Sequence, residues 1–364
     1  MEDLSGDIKI KLATLNDANR LNNFFNDYYN ENRSLDQWKW LFARKISSDG
    51  NLLFSYAEYQ NKIIGTQALI PIPFINSSNQ MINTAKSEET LISNEFRGKN
   101  LFDLMYQKLF KINEVNNFDF IWGFTPAVKP FERIGFETLG TTSQVFKVFN
   151  NKGLSEITGS YENPRLFLEK FLSLSCSIYS NFKKPKLKKK DFISLESVSS
   201  FSNDLKGVVE KFLDRNNVTS INRSQDFFEW RIFNNPFNKP KFICLKEKGK
   251  PIAYVIYGIN ESVAAIVDFI VDPKYLENKE SNYLLFHLLQ HVENDVKKEN
   301  ASIIRSWNLG NNPLSKKILN LYKDFGWLET QRGLSFILKN QNKDNNLKLN
   351  DLYITRLMNQ GALF

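Results

Sequence analysis

The chain has 364 residues, with 48 Lys plus Arg against 40 Asp plus Glu, a net charge of +8. Six of the lysines lie in one eight-residue run, Lys183-Lys184-Pro185-Lys186-Leu187-Lys188-Lys189-Lys190, which leaves about +2 elsewhere, so the basic balance alone does not specify a nucleic-acid surface. Two histidines, His287 and His291, and two cysteines, Cys176 and Cys244, exclude a Ser-His-Asp or Cys-His set in the first 286 residues, a disulfide framework and a cysteine-built zinc site.

In chain order, Ile8 to Ala13 reads as a short strand, and Leu15 to Arg44 as helical after an Asn16-Asp17 cap. Leu52 to Tyr59 and Ile63 to Ile72 predict a hairpin around Gln60-Asn61-Lys62, ended by Pro71 and Pro73. Met81 to Ile92 reads as a long strand. Leu101, Leu104, Met105, Leu109 and Ile112 give helical spacing over Leu101 to Asn113. Phe118 to Phe124 reads as a buried strand, Val128 to Ile134 as a short helix ended by Gly135, and Val145 to Phe149 as the strand that closes the unit. Such an order describes an α/β domain over residues 1–150.

Residues 151–202 read as a connector, with a helix from Leu166 to Tyr179, the lysine run and a Ser-rich patch. Residues 203–340 then repeat the first domain. Ser34-Leu35-Asp36-Gln37-Trp38-Lys39-Trp40 returns as Ser224-Gln225-Asp226-Phe227-Phe228-Glu229-Trp230. The hairpin returns around Gly249-Lys250, the strand ending Thr90 to Phe96 returns as Phe269 to Tyr275, and Phe131 to Phe136 returns as Tyr322 to Trp327. The four matches keep their order at an offset of about 180 to 190 residues. Residues 341–364 form a C-terminal extension, whose Leu349 to Phe364 is expected to add a strand or cover a cleft. Trp38, Trp40, Phe228 and Trp230 read as core residues.

Glu88-Glu89-Thr90-Leu91-Ile92-Ser93-Asn94-Glu95-Phe96-Arg97-Gly98-Lys99-Asn100-Leu101-Phe102 carries the chemistry. A strand runs into a basic turn and then a helix start. Free N–H groups and the positive dipole end at that helix start suit a phosphate. Gly98 lets backbone approach a ligand, and Arg97 and Lys99 add charge. Neither a Walker loop nor G-x-G-x-x-G is present.

Strand, R-G-K-x-L-F, helix, strand and a short helix ending in Gly-Phe resembles the GNAT (Gcn5-related) N-acetyltransferase superfamily over about residues 7–148, and more degenerately over about 203–340. The resemblance implies two α/β domains, each with a mixed, mostly antiparallel sheet flanked by helices. The superfamily's pyrophosphate loop reads Q/R-x-x-G-x-G/A. Arg97 fills its first position, while Asn100 and Phe102 stand where its glycines do. Asn100 tolerates left-handed backbone. The loop also resembles that of a bacterial branch associated with surface-polysaccharide genes, whose next strand reads like Y-G-F-P-N; here it is Ile121-Trp122-Gly123-Phe124-Thr125-Pro126, without the Asn.

The resemblance implies acetyl-CoA as co-substrate and no metal. Backbone of Leu91, Ile92 and Ser93 would pair with the pantetheine arm, and N–H groups of Gly98, Lys99, Asn100, Leu101 and Phe102 would hold the pyrophosphate. The acceptor it implies is a small-molecule amine, with an amino sugar of a surface polysaccharide as the branch's example. Glu88 and Glu89 are both candidates for the base, and adjacent strand residues face opposite ways, so only one can serve. The superfamily's acidic Tyr is replaced by Phe131, while the second copy has Tyr322 there but lacks the Arg and Gly of the loop. Alternatives are a tandem-GNAT aminoacyl transferase of cell-wall building and a catalytically silent CoA-binding protein. Nucleic acid is not expected as a partner. No apolar run approaches the roughly 20 residues of a membrane span, and acidic Met1-Glu2-Asp3 does not open a signal peptide, so a cytoplasmic location is expected.

Overall fold

The computed structural model describes residues 8–47, 49–112, 115, 117–155, 166–188, 190–277, 279–308, 312–331, 333–341 and 347–359. Fourteen strands build two seven-stranded sheets: β1 (Lys9–Leu12), β2 (Phe54–Tyr59), β3 (Lys62–Pro71), β4 (Thr84–Ile92), β5 (Phe120–Thr125), β6 (Glu137–Thr141), β7 (Ser143–Val148), β8 (Ile193–Ser197), β9 (Lys241–Glu247), β10 (Lys250–Asn260), β11 (Val263–Val271), β12 (Ile303–Asn308), β13 (Leu328–Thr330) and β14 (Ser335–Asn340). The helices relevant here are α1 (Ala18–Tyr29), α2 (Leu35–Phe42), α3 (Leu101–Leu109), α4 (Val128–Arg133), α5 (Leu166–Lys183), α6 (Asn203–Asn216), α7 (Gln225–Phe228), α8 (Lys279–Lys298) and α9 (Pro313–Asp324). The expected α/β class, with mostly antiparallel sheets flanked by helices, is the one observed.

The chain divides into two compact units. The first holds residues 1–74, 81–139 and 335–346, and the second holds 75–80, 140–334 and 347–364. The first sheet runs β1-β2-β3-β4-β5-β14-β6 and the second β8-β9-β10-β11-β12-β7-β13. In each, the first four strands are antiparallel and the fourth pairs in parallel with the fifth. The same order arises twice from two stretches of sequence.

Two strands lie elsewhere than the sequence suggests. Ser143–Val148, expected to close the first unit, runs antiparallel to Ile303–Asn308 in the second sheet. The sixth place in the first sheet goes to Ser335–Asn340, antiparallel to Phe120–Thr125. A strand pattern carries period and burial but not the identity of its neighbour. The Ser-rich patch, read as part of an irregular connector, contains β8, which pairs with β9 at the sheet edge.

In the first unit, Gln60 and Asn61 both have positive φ, the geometry of a tight two-residue hairpin. Ser34 caps α2 by accepting from Gln37 N, and Gln37 returns the bond to Ser34 N, a reciprocal capping box. The core under the sheet gathers Leu69, Ala85, Tyr106, Ile121, Phe131 and Ile337, with α3 supplying its apolar side. Trp38 is fully buried against Phe42 and Phe54, as expected of a core residue.

In the second unit, Lys248 and Gly249 form the left-handed hairpin turn. Gly326 follows α9 at φ +84, and a Cβ there would sit 2.4 Å from the Ser180 carbonyl oxygen. Left-handed strain and backbone overlap together predict that Gly326→Ala lowers unfolding free energy by roughly 2–4 kcal/mol in chemical denaturation. Unchanged stability would show that the contact relaxes at no cost. Among the described residues no helix is long and apolar enough to cross a membrane.

Candidate active site

β4 and β5 pair in parallel only at Thr84↔Phe120, Ala85↔Ile121 and Lys86↔Trp122. Beyond these positions β4 continues on β3 and β5 continues on β14, so the two strands part. A cavity of about 490 Å³ lies at the far end of β4, lined in part by Thr90, Leu91 and Ile92. The volume suits a small-molecule or cofactor group.

The rim is the turn singled out in the sequence. Gly98 has φ +80 and Asn100 has φ 58, so the backbone turns through two left-handed residues just before α3. Asn100 thus takes the conformation for which Asn is the best non-glycine choice. The first helical bond of α3 is Leu104 N to Asn100 O, so the N–H groups of Leu101, Phe102 and Asp103 precede the ladder at the positive end of the helix. Arg97 is exposed and donates to Tyr28 Oη at 2.7 Å.

Of the residues expected to hold a cofactor, Leu91, Ile92, Arg97, Gly98, Asn100, Leu101 and Phe102 line the cavity. Ser93 and Lys99 are not among the lining residues. The N–H of Ser93 is donated to Ile64 O at 2.9 Å, which leaves it unable to pair with a ligand strand. Lys99 Nζ lies 5.0 Å over the Phe96 ring. The sequence reading missed Tyr28, Tyr29, Thr90, Pro130 and Arg133, which complete the lining. Arg133 is held by both oxygens of Asp103. The doubled tyrosine at the end of α1 was the legible signal for the first two.

The two candidate bases lie in different surroundings, and neither lines the cavity. Glu89 sits in a β-bulge at φ +54, where Glu89 and Thr90 together oppose Gln67. Its carboxylate is buried and receives Arg33 in a fork, Nη1 to Oε2 at 3.0 Å and Nη2 to Oε1 at 2.6 Å. Burial pushes the Glu89 carboxyl up, against the opposing pull of Arg33. Glu88 is part-buried and receives Lys86 Nζ at 2.6 and 3.1 Å.

The second unit repeats the Arg33–Glu89 arrangement. Arg223 donates Nε and Nη2 to Asp268 at 2.8 and 2.9 Å, with both side chains fully buried. Arg33 and Arg223 each immediately precede a capping serine, Ser34 or Ser224. A buried Arg–carboxylate pair at the same place in a unit without the Arg97-Gly98 turn, end-on in the first and through Nε and Nη2 in the second, is a structural tie between a helix start and a sheet.

A polar row unnoticed in the sequence runs beneath the bulge. Thr90 Oγ1 donates to Gln67 Oε1 at 2.5 Å, and Gln67 Nε2 donates to Ser87 Oγ at 3.3 Å. Ser87 Oγ and Tyr106 Oη are 2.5 Å apart. Tyr106 is fully buried and its phenol is pushed up by burial. Phe131 offers no hydroxyl, and its ring packs edge-on to Phe102 at 5.0 Å and near Tyr106 at 6.1 Å.

The equivalent parting of β11 and β12 is occupied by the chain itself. Tyr353 Oη donates to Phe269 O on β11 at 2.6 Å, the Arg356 guanidinium lies 5.0 Å over Trp307 on β12, and Leu357 and Met358 are fully buried. The C-terminal extension thus fills the strand parting of its own unit as far as Asn359; residues 360–364 lie outside the described residues. Tyr322 is buried against Phe269 and Trp327. His287 and His291 lie on α8. Among the described residues no group of three or more His, Cys, Asp or Glu is placed to hold a metal.

No family model and no curated protein sequence matches the chain. Solved structures do. A GCN5-related N-acetyltransferase from Anabaena variabilis has TM-score 0.58 at 12% identity, over 92% of this chain and 73% of the other. A probable N-acyltransferase from Enterococcus faecalis has TM-score 0.60 at 9% identity, over 92% and 72%. N-myristoyltransferase of Saccharomyces cerevisiae with bound myristoyl-CoA has TM-score 0.60 at 12% identity, over 96% and 84%. The chain has the GNAT fold. The likeness extends over 92–96% of this chain. In the first unit a cavity adjoins the Arg97-Gly98 loop.

Proposed function

We propose that this protein is an acyl-CoA-dependent N-acyltransferase whose donor binds in the first unit, with acetyl-CoA as the donor and a small-molecule amine, such as an amino sugar of a surface polysaccharide, as the acceptor. The cavity rimmed by Gly98, Asn100 and the start of α3 carries this reading. It joins a phosphate-sized turn to a strand that parts from its neighbour. The second unit, whose equivalent wedge is filled, is read as a degenerate copy that shapes the protein.

The pyrophosphate would take the N–H groups at the start of α3 and the Arg97 guanidinium. The thioester arm would lie along β4. The amine nitrogen attacks the thioester carbon, the C–N bond forms, and the C–S bond breaks to release the CoA thiolate. The ammonium proton must leave before attack, and the thiolate takes up a proton afterwards. Both carboxylates carry a cation, and Glu88 is the better base because its side chain is 10% exposed where that of Glu89 is 1%. With Phe131 in the acid's place, water supplies the thiolate proton.

Glu88→Gln is expected to lower kcat by about 10²–10⁴ without weakening acetyl-CoA binding. Steady-state rates on a panel of amines and amino sugars check this. Full turnover by the variant would remove Glu88 from the mechanism. Binding of acetyl-CoA with no turnover on any amine would favour a silent CoA-binding protein. Longer acyl-CoA donors, including the myristoyl-CoA bound by the yeast neighbour, belong in the same panel.

A further inference from the structure

Helix α5 presents its apolar side to solvent. Ser173 and Ser180 are fully buried and Ser177 nearly so, and they form the packing face toward β7. Ser173 Oγ accepts from Leu154 N at 3.1 Å, and Ser177 Oγ donates to Phe149 O at 3.3 Å. Phe171, Leu174, Ile178 and Phe182 recur at helical spacing on the other side, and they are 62%, 50%, 63% and 91% exposed. Leu172 and Tyr179 widen the stripe. A helix that only covered a sheet would be arranged the opposite way.

The stripe runs directly into the lysine tract. Lys183, Lys186, Lys188 and Lys190 are exposed, while Lys184 is drawn in to Glu293 at 2.9 Å. Lys183 lies 5.3 Å over the Tyr179 ring and Lys190 5.8 Å over Phe192, which is itself 40% exposed. Lys188 N donates to Tyr283 Oη at 2.7 Å, which fastens the tract to α8.

We propose that α5 and the lysine tract form a docking surface for an anionic lipid bilayer. The apolar stripe enters the boundary between headgroups and acyl chains, and the lysines meet the anionic headgroups. Bulky apolar side chains on α5, continued by cationic side chains in the segment that follows it, select this occupant. A second copy is the other occupant that the test distinguishes. The inference rests on the second unit alone and stands or falls independently of acyl transfer.

Co-sedimentation with vesicles of phosphatidylcholine, and with equimolar phosphatidylcholine and phosphatidylglycerol, tests it. The full chain is expected to pellet with the mixed vesicles, not with phosphatidylcholine alone, and to be released by high salt. Ile178→Ser with Phe182→Ser is expected to lower the bound fraction on the order of tenfold or more. Lys186→Glu with Lys188→Glu is expected to abolish the preference for anionic vesicles. All four positions are exposed, and circular dichroism confirms that each variant is folded. Failure to pellet with either vesicle overturns the proposal, as does undiminished binding by the Ile178 and Phe182 variant. A dimer in sedimentation velocity that becomes a monomer on Phe182→Ser would instead assign the face to a second copy.

Discussion

Glu89→Gln is expected to cost about 3–5 kcal/mol of unfolding free energy, because it leaves the Arg33 guanidinium buried without its counter-charge. Arg33 cannot escape to water. It is 7% exposed, its Nε donates to Asn22 Oδ1 at 2.8 Å, and its guanidinium lies 3.7 Å over the Phe25 ring. Asp268→Asn is expected to act in the same way on the second unit, where Arg223 also donates to Ser220 Oγ and Tyr254 Oη donates to Asp268. Urea denaturation of the four proteins, wild type, Glu88→Gln, Glu89→Gln and Asp268→Asn, checks both. Glu88→Gln takes the carboxylate from the buried Lys86 ammonium and should also unfold earlier than wild type. If Glu89→Gln unfolds like wild type yet loses all turnover, Glu89 is the base and the structural account fails.

Arg97→Ala is expected to weaken acetyl-CoA binding about tenfold or more in calorimetric titration, the worth of a charge-assisted bond to phosphate. Gly98→Val should weaken it further. A β-branched residue resists φ +80, so the turn must open and the N–H groups it aims move with it. No atom lies within 4 Å of a Cβ at Gly98, so the loss would come from backbone strain and not from a clash. Wild-type affinity in the Gly98 variant would show that the turn does not hold the pyrophosphate. Failure of wild type to bind any acyl-CoA would sink the functional reading altogether.

The loop was legible because its determinants are local. Gly98, Asn100 and the first turn of α3 fix their own dihedrals and dipole within five residues. The hairpin at Gln60-Asn61 was readable for the same reason, whereas Leu15 to Arg44, read as one helical stretch, is broken ahead of the Ser34 cap into α1 and α2. Thr90, Tyr106 and Gln67 were not, since their meeting depends on a bulge that shifts the register by one residue. Nor was the Arg33–Glu89 tie, whose partners are 56 residues apart and identifiable only once the sheet is folded.

The sequence by itself determined the α/β alternation of elements, the hairpin turns and the left-handed turn ahead of α3, all of which rest on short-range spacing and backbone preference. Tertiary structure alone decided which strand fills the sixth place in each sheet, because any apolar strand of suitable length can offer the same ladder of N–H and C=O groups. It also decided which side of α5 faces out. Periodicity reveals that a helix has two faces, but the small serines pack closely against β7 and leave the bulky apolar side chains in solvent.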